Sequence, residues 1–358
     1  MERNHFNNDP RTAYDSLSEA QRIAFAPIVF QACRVLRESG VLGRVEQGGA
    51  DGMPMNEVAA GVSLPRYGVK VLLESGLGIG LFHLNDKRFV LSKLGHFVLH
   101  DPMTRVNMDV VHEICYRGMF DLEQSLREGR PAGLRTLGEW NTFYEGLGSL
   151  APRARDSWLA FDHYYSDAAF PAALPLVFAD RPRRLLDIGG NTGKWAVRCA
   201  RFDSDVRVTI ADLPQQLEMA RQTIRDERLE DRVALIPADM LDESACLPAD
   251  FNAVWMSQFL DCFSEGEIVS ILRRAARALA PGGSLYILEL FWDRQANATA
   301  AFCLQQTSLY FACIANGNSQ MYHSDDVMHC VKQAGLEVVG EHDEVGLYHT
   351  LLKCRKEG

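Results

Sequence analysis

The chain has 358 residues, of which 47% are hydrophobic and 23% charged, so it is long enough for two domains with hydrophobic cores. Its formal net charge of -10 argues against nucleic acid as the main partner, because affinity for phosphates comes from clustered Lys and Arg. The sequence contains no long apolar run and no apolar leader, so we expect neither a membrane span nor a signal peptide, with the cytoplasm as the default location. Nine cysteines without a C-x-x-C pair or a Cys/His cluster predict reduced thiols and no metal site.

The first part of the chain predicts a small helical domain that ends in a β-hairpin. Apolar residues recur at helical spacing over 18–46 and again over 55–77. The segment LFHLNDKRFVLS then places Asn85-Asp86 between two runs of strand-forming residues. Helix, turn, helix and hairpin together predict a winged helix-turn-helix, which we assign to residues 1–104.

The charge of this domain does not favour DNA binding. Its first hundred residues hold 11 Lys/Arg against 10 Asp/Glu. The presumed recognition helix offers only Arg66 and Lys70 as cations. We therefore expect the domain to dock protein rather than DNA.

The rest of the chain predicts an α/β domain after a helical connector. Residues 105–175 read as helices rich in aromatic residues, most of them expected to be core. From residue 183, strand and helix patterns alternate, and two late strand patterns, LEVVGEHD and GLYHTLLKC, predict a closing antiparallel hairpin. Such alternation specifies a doubly wound, mostly parallel sheet, which we assign to residues 176–358.

The strongest chemical signal is RRLLDIGGNTGKW, residues 183–195, at the first strand-to-helix turn of this sheet. Glycines at this turn let the backbone approach a ligand closely. The spacing fits neither a G-x-G-x-x-G dinucleotide fingerprint nor a phosphate-binding P-loop. The pattern is instead Asp187-x-Gly189-x-Asn191-x-Gly193, and an acid that opens the loop suits a cationic ligand better than a pyrophosphate.

Acids also end the next two predicted strands. Asp212, followed by Leu213, stands 19 residues after Gly193, where a carboxylate can accept hydrogen bonds from both hydroxyls of a ribose. Asp239 and Met240 end the third strand. Such an acid can hold the edge of an adenine, and such a methionine can pack against its face. Three acids in register at successive carboxyl ends of one sheet predict a nucleoside-containing ligand.

These motifs resemble those of class I S-adenosylmethionine-dependent methyltransferases. The whole chain, with its winged helix, resembles the O-methyltransferases of the caffeate and hydroxyindole type. Their loop D-x-G-G-G-x-G is matched here by DIGGNTG, their D-L-P by Asp212-Leu213-Pro214, and their G-D-M-F by ADML. The resemblance implies S-adenosylmethionine as cofactor and a homodimer built through the amino-terminal domains, with helices of one chain helping to close the pocket of the other. The predicted cofactor-binding set is Asp187, Gly189, Gly190, Asn191, Gly193, Asp212, Leu213, Asp239, Met240 and Ser257.

The presumed transfer site departs from the family pattern. In the relatives the fourth strand ends in H-D-W-S-D, with His as the base. Aligning Phe263-Ser264-Glu265 on W-S-D puts Asp261 in the place of that His, and the capping box from Ser264 to Glu267 fixes the register. Of the two glutamates that flank the base in the family, Glu289 matches the first, whereas the second falls near Gln320 or Met321.

Three interpretations of this departure stay open. Asp261 is the base or the group that orients the acceptor, with its pKa raised by burial beside Glu289. Alternatively, the close approach of acceptor and methyl donor lowers the barrier enough, and His163, His323 or a water takes the proton. In the third, the site does not perform ordinary O-methylation. The candidate catalytic residues are therefore Asp261, Glu289, His323 and His163.

We predict an O-methyltransferase for a small aromatic hydroxyl compound, with polyketide or aryl-polyene secondary metabolism as the setting suggested by family analogy. One rival is a relative with altered chemistry, namely methylation at carbon or nitrogen, or a cofactor-assisted decarboxylation or hydroxylation. Another is a non-catalytic scaffold or regulator that uses the winged helix. The sequence leaves open whether the acceptor is free or attached to a carrier protein.

Overall fold

The computed structural model describes residues 6–357, which divide into two compact units. One comprises residues 8–111, and the other comprises residues 112–357 together with residues 6 and 7. Among the described residues, no helix is both long and apolar enough to cross a membrane.

The N-terminal unit is helical with one β-hairpin. Its helices are α1 (Ala13–Glu38), α2 (Val41–Glu46), α3 (Met55–Ala60), α4 (Arg66–Ile79), α5 (Lys93–His100) and α6 (Pro102–Val110), and the hairpin consists of β1 (Phe82–Asn85) and β2 (Arg88–Leu91). The second helical pattern becomes two helices, because α3 ends before Gly61 and α4 starts only after Pro65, its N-cap residue. A core that includes Leu36, Leu42 and Leu73 joins them.

The hairpin turn lies one residue later than the sequence predicts. Asn85 pairs with Arg88, so the two turn residues are Asp86 and Lys87, with φ angles of +45° and +64°. Two successive residues with positive φ are typical of a type I′ turn, which matches the twist of the flanking strands. The prediction of Asn85-Asp86 as the turn was therefore wrong by one position.

The second unit begins with helices and continues as an alternating α/β domain. The first helices are α7 (Leu122–Glu128), α8 (Phe143–Gly146) and α9 (Pro152–Phe178). The alternating elements are β3 (Arg184–Ile188), α10 (Lys194–Phe202), β4 (Arg207–Asp212), α11 (Pro214–Asp226), β5 (Val233–Pro237), β6 (Phe251–Ser257), α12 (Glu265–Ala278), β7 (Leu279–Glu289), α13 (Ala298–Tyr310), α14 (Ser324–Gln333), β8 (Leu336–Val345) and β9 (His349–Lys356).

In the part of the chain that the structure describes, these strands form one seven-stranded sheet in the order β5-β4-β3-β6-β7-β9-β8. The strands from β5 to β7 are parallel, whereas β9 pairs antiparallel with both β7 and β8. The predicted fold class, a doubly wound sheet with an antiparallel C-terminal hairpin, is confirmed.

Two apolar layers cover the sheet. On one face, Trp195 of α10 stacks on Trp255 of β6 with ring centroids 4.0 Å apart and planes 15° apart. Both side chains are almost fully buried. On the other face, Ile268 and Leu272 of α12 pack against Met256 and its neighbours.

The strand order fixes where a ligand can bind. The chain passes from β3 to β4 on one side, and the later strand β6 lies on the other side of β3. In an open α/β sheet, such a reversal leaves a crevice at the carboxyl ends of the strands. That edge carries the predicted cofactor-binding residues.

Candidate functional site

The loop between β3 and α10 approaches its neighbours too closely for side chains. Gly189 has a φ angle of +75° and Asn191 one of +48°, a left-handed conformation in which Asn is among the better-tolerated residues. A Cβ atom on Gly189 would lie 2.3 Å from a ring carbon of Phe259. One on Gly190 would lie 2.7 Å from Oδ2 of Asp187. These positions therefore exclude a side chain, and the loop backbone stays open to a ligand.

Helix α9 holds this loop through side-chain contacts. Three side-chain pairs make the contact: Asn191 Nδ2 with Asp162 Oδ2 at 3.0 Å, Thr192 Oγ1 with His163 Nε2 at 3.3 Å, and Lys194 Nζ with Asp167 Oδ2 at 2.7 Å. Gly193, with φ of +79°, lies between these contacts and begins α10. The loop conformation is thus fixed by a helix that precedes the sheet in the chain.

Asp212 ends β4 beside the glycine loop. Its Oδ2 accepts the backbone N–H of Asn191 at 2.8 Å, and its Oδ1 accepts that of Leu213 at 2.7 Å. Burial raises the pKa of Asp212 to about 6, although these two hydrogen bonds act in the opposite direction. After β5, Asp239 accepts the N–H of Leu241 at 2.8 Å, and the neighbouring Met240 is buried.

Several buried polar atoms at this edge lack a partner within the described chain. They are Asp187 Oδ2 in β3, Asn191 Oδ1 in the loop, Ser257 Oγ at the end of β6 and Glu289 Oε2 at the end of β7. An unsatisfied buried polar group costs about 1–3 kcal/mol, so natural sites of this kind face a polar ligand or water. Burial, followed by the charge of Asp212, raises the pKa of Asp187 well above its usual range. A cationic, hydroxyl-bearing ligand would satisfy these groups.

Asp261 lies beyond the end of β6 rather than on it. The strand ends at Ser257, and Gln258 leaves it with a φ angle of +46°. Asp261 belongs to a single 3₁₀ turn, Leu260–Cys262, which corrects its expected place at the end of a strand. Helix α12 then starts at the predicted capping box, since Ser264 N donates to Glu267 Oε2 at 2.8 Å. The capping box that the sequence predicts is therefore present at the start of α12, and the place of Asp261 in the family motif stays a prediction.

Asp261 is buried, with 7% of the residue exposed. Burial raises its pKa to about 7, the hydrogen bond from the Cys262 thiol opposes this shift, and the charge of Asp162 adds to it. The sequence attributed a raised pKa to burial beside Glu289, whereas the like charge that acts on Asp261 comes from Asp162 of α9. A carboxyl group with a pKa near 7 can both accept and release a proton at neutral pH.

Glu289 holds the loop that carries Asp261. Its Oε1 accepts the backbone N–H of Phe259 at 3.0 Å and that of Leu260 at 2.8 Å. Burial, followed by the charge of Asp261, raises the pKa of Glu289 well above its usual range. This shift favours the protonated form of the side chain, and Oε2 has no hydrogen-bond partner within the described chain.

A chain of polar side chains leads away from Asp261. The thiol of Cys262 donates to Asp261 Oδ1 at 3.4 Å, and its sulfur accepts the hydroxyl of Tyr144, whose Oη lies 3.0 Å away. Burial, followed by the charge of Asp261, keeps the pKa of this thiol well above its usual range. Cys262 is thus a protonated hydrogen-bond donor, not a thiolate.

The two predicted histidines lie at different places in the unit. His163 lies against the glycine loop through Thr192. His323 is the N-cap of α14, where its Nδ1 accepts the N–H of Asp325 at 3.1 Å. Among the described contacts, neither histidine has a hydrogen bond or an ion pair with Asp261.

Sequence reasoning missed Asp162 and Tyr144 as parts of the site. Tyr144 was one of many aromatic residues expected to be core, and Asp162 stands beside the singled-out His163 without a motif of its own. The acid-histidine pair Asp162-His163, followed by Asp167 one turn later, was the available signal for a polar helix face directed at the sheet edge.

Both parts of the chain match known protein domains. A Dimerisation2-like domain matches residues 18–89, and an O-methyltransferase domain matches residues 172–337. The L-tyrosine C(3)-methyltransferase of Streptomyces lavendulae is 23% identical over 275 residues, which cover 76% of this chain and 74% of that protein. Aclacinomycin 10-hydroxylase RdmB of Streptomyces purpurascens is 28% identical over 248 residues, which cover 69% of this chain and 63% of that protein.

A solved structure has the same fold over nearly the whole chain. The S-adenosylmethionine-dependent methyltransferase SibL superposes with a TM-score of 0.73 at 26% sequence identity. The match covers 96% of this chain and 100% of SibL, so it includes the domains on both sides of the connector.

Proposed function

Because the chain carries a Dimerisation2-like domain and an O-methyltransferase domain and belongs to the S-adenosylmethionine-dependent methyltransferases, we propose that it methylates a small aromatic hydroxyl compound of secondary metabolism. The observation that carries this proposal is Asp261, a buried carboxyl group with a pKa of about 7 at the carboxyl end of the sheet. A phenol has a pKa of about 10 and needs a base to become a good nucleophile at neutral pH.

The residues at the sheet edge fit the cofactor. Asp187, Asn191 and the glycine backbone would hold its amino acid part, Asp212 its ribose hydroxyls, and Asp239 with Met240 its adenine. The unpartnered atoms Asp187 Oδ2 and Asn191 Oδ1 support this assignment, because they face no partner within the described chain. When bound, S-adenosylmethionine supplies a methyl group that the positive charge of its sulfur has already activated.

Asp261 accepts the hydroxyl proton of the acceptor. The thiol of Cys262 fixes one carboxylate oxygen and leaves the other to the acceptor. Glu289 keeps the loop in place from behind. The proximity of acceptor and methyl group supplies the larger part of the rate, on the order of 7–11 kcal/mol of the barrier.

A second candidate is methylation at a ring carbon of a phenol. Similarity to a tyrosine C(3)-methyltransferase over 76% of the chain favours it, and so does the replacement of the family histidine by Asp261. A phenolate is nucleophilic at oxygen and at the ring carbons ortho and para to it, so the same base serves both reactions. The orientation of the ring decides the product.

We further propose that the enzyme acts as a homodimer through α1. Tyr14, Leu17, Phe25 and Ile28 share one face of this helix and are each more than half exposed. An exposed apolar stripe of this length is typical of a protein interface. The nine free cysteines suit a reducing compartment, and we place the dimer in the cytoplasm.

Two measurements test the proposed function. Calorimetry with S-adenosylmethionine comes first: no binding at tens of micromolar would favour a scaffold and overturn the cofactor assignment. The enzyme is then incubated with deuteromethyl-labelled cofactor and a panel of phenols, free and as carrier-protein thioesters. We expect a product that has gained one labelled methyl group, and NMR assigns it to oxygen or carbon. A hydroxylated product without the label would instead support the altered chemistry that similarity to aclacinomycin 10-hydroxylase RdmB suggests.

A further inference from the structure

Three potential metal ligands converge on the surface of the N-terminal unit. His96 and His100 lie one turn apart on α5, and Glu46 ends α2. The same carboxylate oxygen, Glu46 Oε1, lies 3.4 Å from His96 Nδ1 and 2.7 Å from His100 Nε2. All three ligand atoms lie within 4.8 Å of one another.

These separations suit a zinc ion. Zinc binds His nitrogen and carboxylate oxygen at about 2.0–2.2 Å in tetrahedral sites, so neighbouring ligand atoms are about 3.3 Å apart. The distance from His96 Nδ1 to Glu46 Oε1 matches this value, and the shorter distance to His100 Nε2 is that of a hydrogen bond in the absence of an ion. The two imidazole rings tilt toward each other with centroids 4.7 Å apart. Small side-chain rotations suffice to place all three ligand atoms around one ion.

A simple ion pair explains this arrangement less fully. One histidine would satisfy Glu46, yet both rings approach a single oxygen and leave the other oxygen free of either ring. The side chains of His96 and His100 are 59% and 47% exposed, so an ion from solvent can reach them without opening the fold.

We propose that Glu46, His96 and His100 form a zinc site with water as the fourth ligand, one site per chain. The ion would join α2 to α5, whose ligands are 50 residues apart in the sequence. A ligand that binds only the folded state stabilises that state. The zinc ion would therefore stabilise the N-terminal unit without taking part in methyl transfer. The sequence predicted no metal site, because Glu46 lies 50 residues before His96 and the three ligands form no motif of adjacent residues.

The test uses the full-length protein stripped of metal with a chelator. Zinc is titrated in competition with a chromophoric indicator, and cobalt(II) is used as a spectroscopic substitute. We expect one equivalent per chain, a visible cobalt spectrum with the intensity of tetrahedral coordination, and a higher melting temperature with zinc. The variants His96→Ala, His100→Ala and Glu46→Gln should each weaken binding at least about tenfold.

His83→Ala is the matched control, since His83 is an exposed histidine on β1 of the same unit. It should bind zinc and cobalt like the wild type. Unchanged affinity in the variant that lacks both His96 and His100, or an equal loss in His83→Ala, would overturn the proposal. Circular dichroism of each metal-free variant shows that it is folded, and the cobalt spectrum reports the ligand set independently of stability. Neither readout depends on the acceptor or on methyl transfer.

Discussion

Glu289 accepts the backbone N–H of Leu260 at 2.8 Å, at the start of the turn that carries Asp261. This contact joins the end of β7 to the loop after β6, and the adjacent N–H of Phe259 donates to the same oxygen. A residue that matches a catalytic glutamate in the family resemblance thus also sets the position of the proposed base. Positioning and chemistry at this site are coupled through one side chain.

The two roles of Glu289 can be separated by substitution. Glu289→Gln keeps an oxygen for both N–H groups, so the fold should be retained and kcat should fall by less than about tenfold. Glu289→Ala leaves two buried donors unpaired, each costing about 1–3 kcal/mol, so it should lower both the free energy of unfolding and kcat. Denaturant unfolding and steady-state kinetics measure these effects. Loss of activity in a fully stable Gln variant would show that the carboxyl group itself reacts.

Gly189 is the position where the cofactor loop is most sensitive to a single methyl group. In Gly189→Ala the new Cβ would lie 2.3 Å from the ring of Phe259, at a φ angle of +75°. We expect S-adenosylmethionine affinity to fall at least tenfold by calorimetry, on the order of 1–3 kcal/mol for such strain. Gly266→Ala is the control, because no atom lies within 4 Å of a Cβ there. Equal affinity in the two variants would place the cofactor elsewhere.

The pKa of Asp261 predicts how stability changes with pH. In the folded chain the pKa is about 7, whereas an unfolded Asp titrates near about 3.9. Between these values the folded state binds more protons than the unfolded state, so this residue lowers stability as pH rises. Asp261→Asn removes the effect while keeping an oxygen for the Cys262 thiol.

Other groups also titrate on unfolding, such as His349, whose pKa burial lowers to about 4. These groups are the same in the wild type and in Asp261→Asn, so the difference in stability between the two proteins reports Asp261 alone. The Asn variant should gain stability relative to the wild type from pH 5 to pH 7, on the order of 1 kcal/mol per pH unit. Urea unfolding at each pH gives the difference. A constant difference across this range would mean that Asp261 titrates normally.

The apolar stripe on α1 predicts a specific effect on assembly. Phe25→Asp places a charge within the stripe, so the dimer should dissociate to monomers in sedimentation experiments at micromolar concentration. Ile23→Asp is the control, because Ile23 is 68% exposed on the opposite face of the same helix. Retention of the dimer in Phe25→Asp would remove this face from the interface.

The sequence was sufficient to predict the sheet, because the residue patterns that indicate its strands and helices are local. The strand and helix periods around Asp187 and Asp212, and the capping box at Ser264, each depend on residues within one or two turns. The predicted end of the strand before Asp261 was wrong, because the hydrophobic pattern does not indicate the positive φ angle of Gln258.

The neighbours of Asp261 could not be derived in this way. Asp162 and Tyr144 precede the sheet by tens of residues, and only the packing of α9 and α8 brings them to its edge. Their contribution is electrostatic: the charge of Asp162 helps to raise the pKa of Asp261, and Tyr144 binds the thiol beside it. Long-range contacts of this kind have no fixed sequence spacing.

The central claim is that Asp261 accepts the proton of an aromatic hydroxyl during methyl transfer. The most direct test is the pH dependence of kcat/KM for the identified acceptor in the wild type, Asp261→Asn and Asp261→His. We expect the wild-type value to rise through an apparent pKa near about 7, the Asn variant to lose about 10²–10⁴-fold together with this rise, and the His variant to recover part of it. Wild-type rates with an unchanged pH profile in Asp261→Asn would contradict the claim.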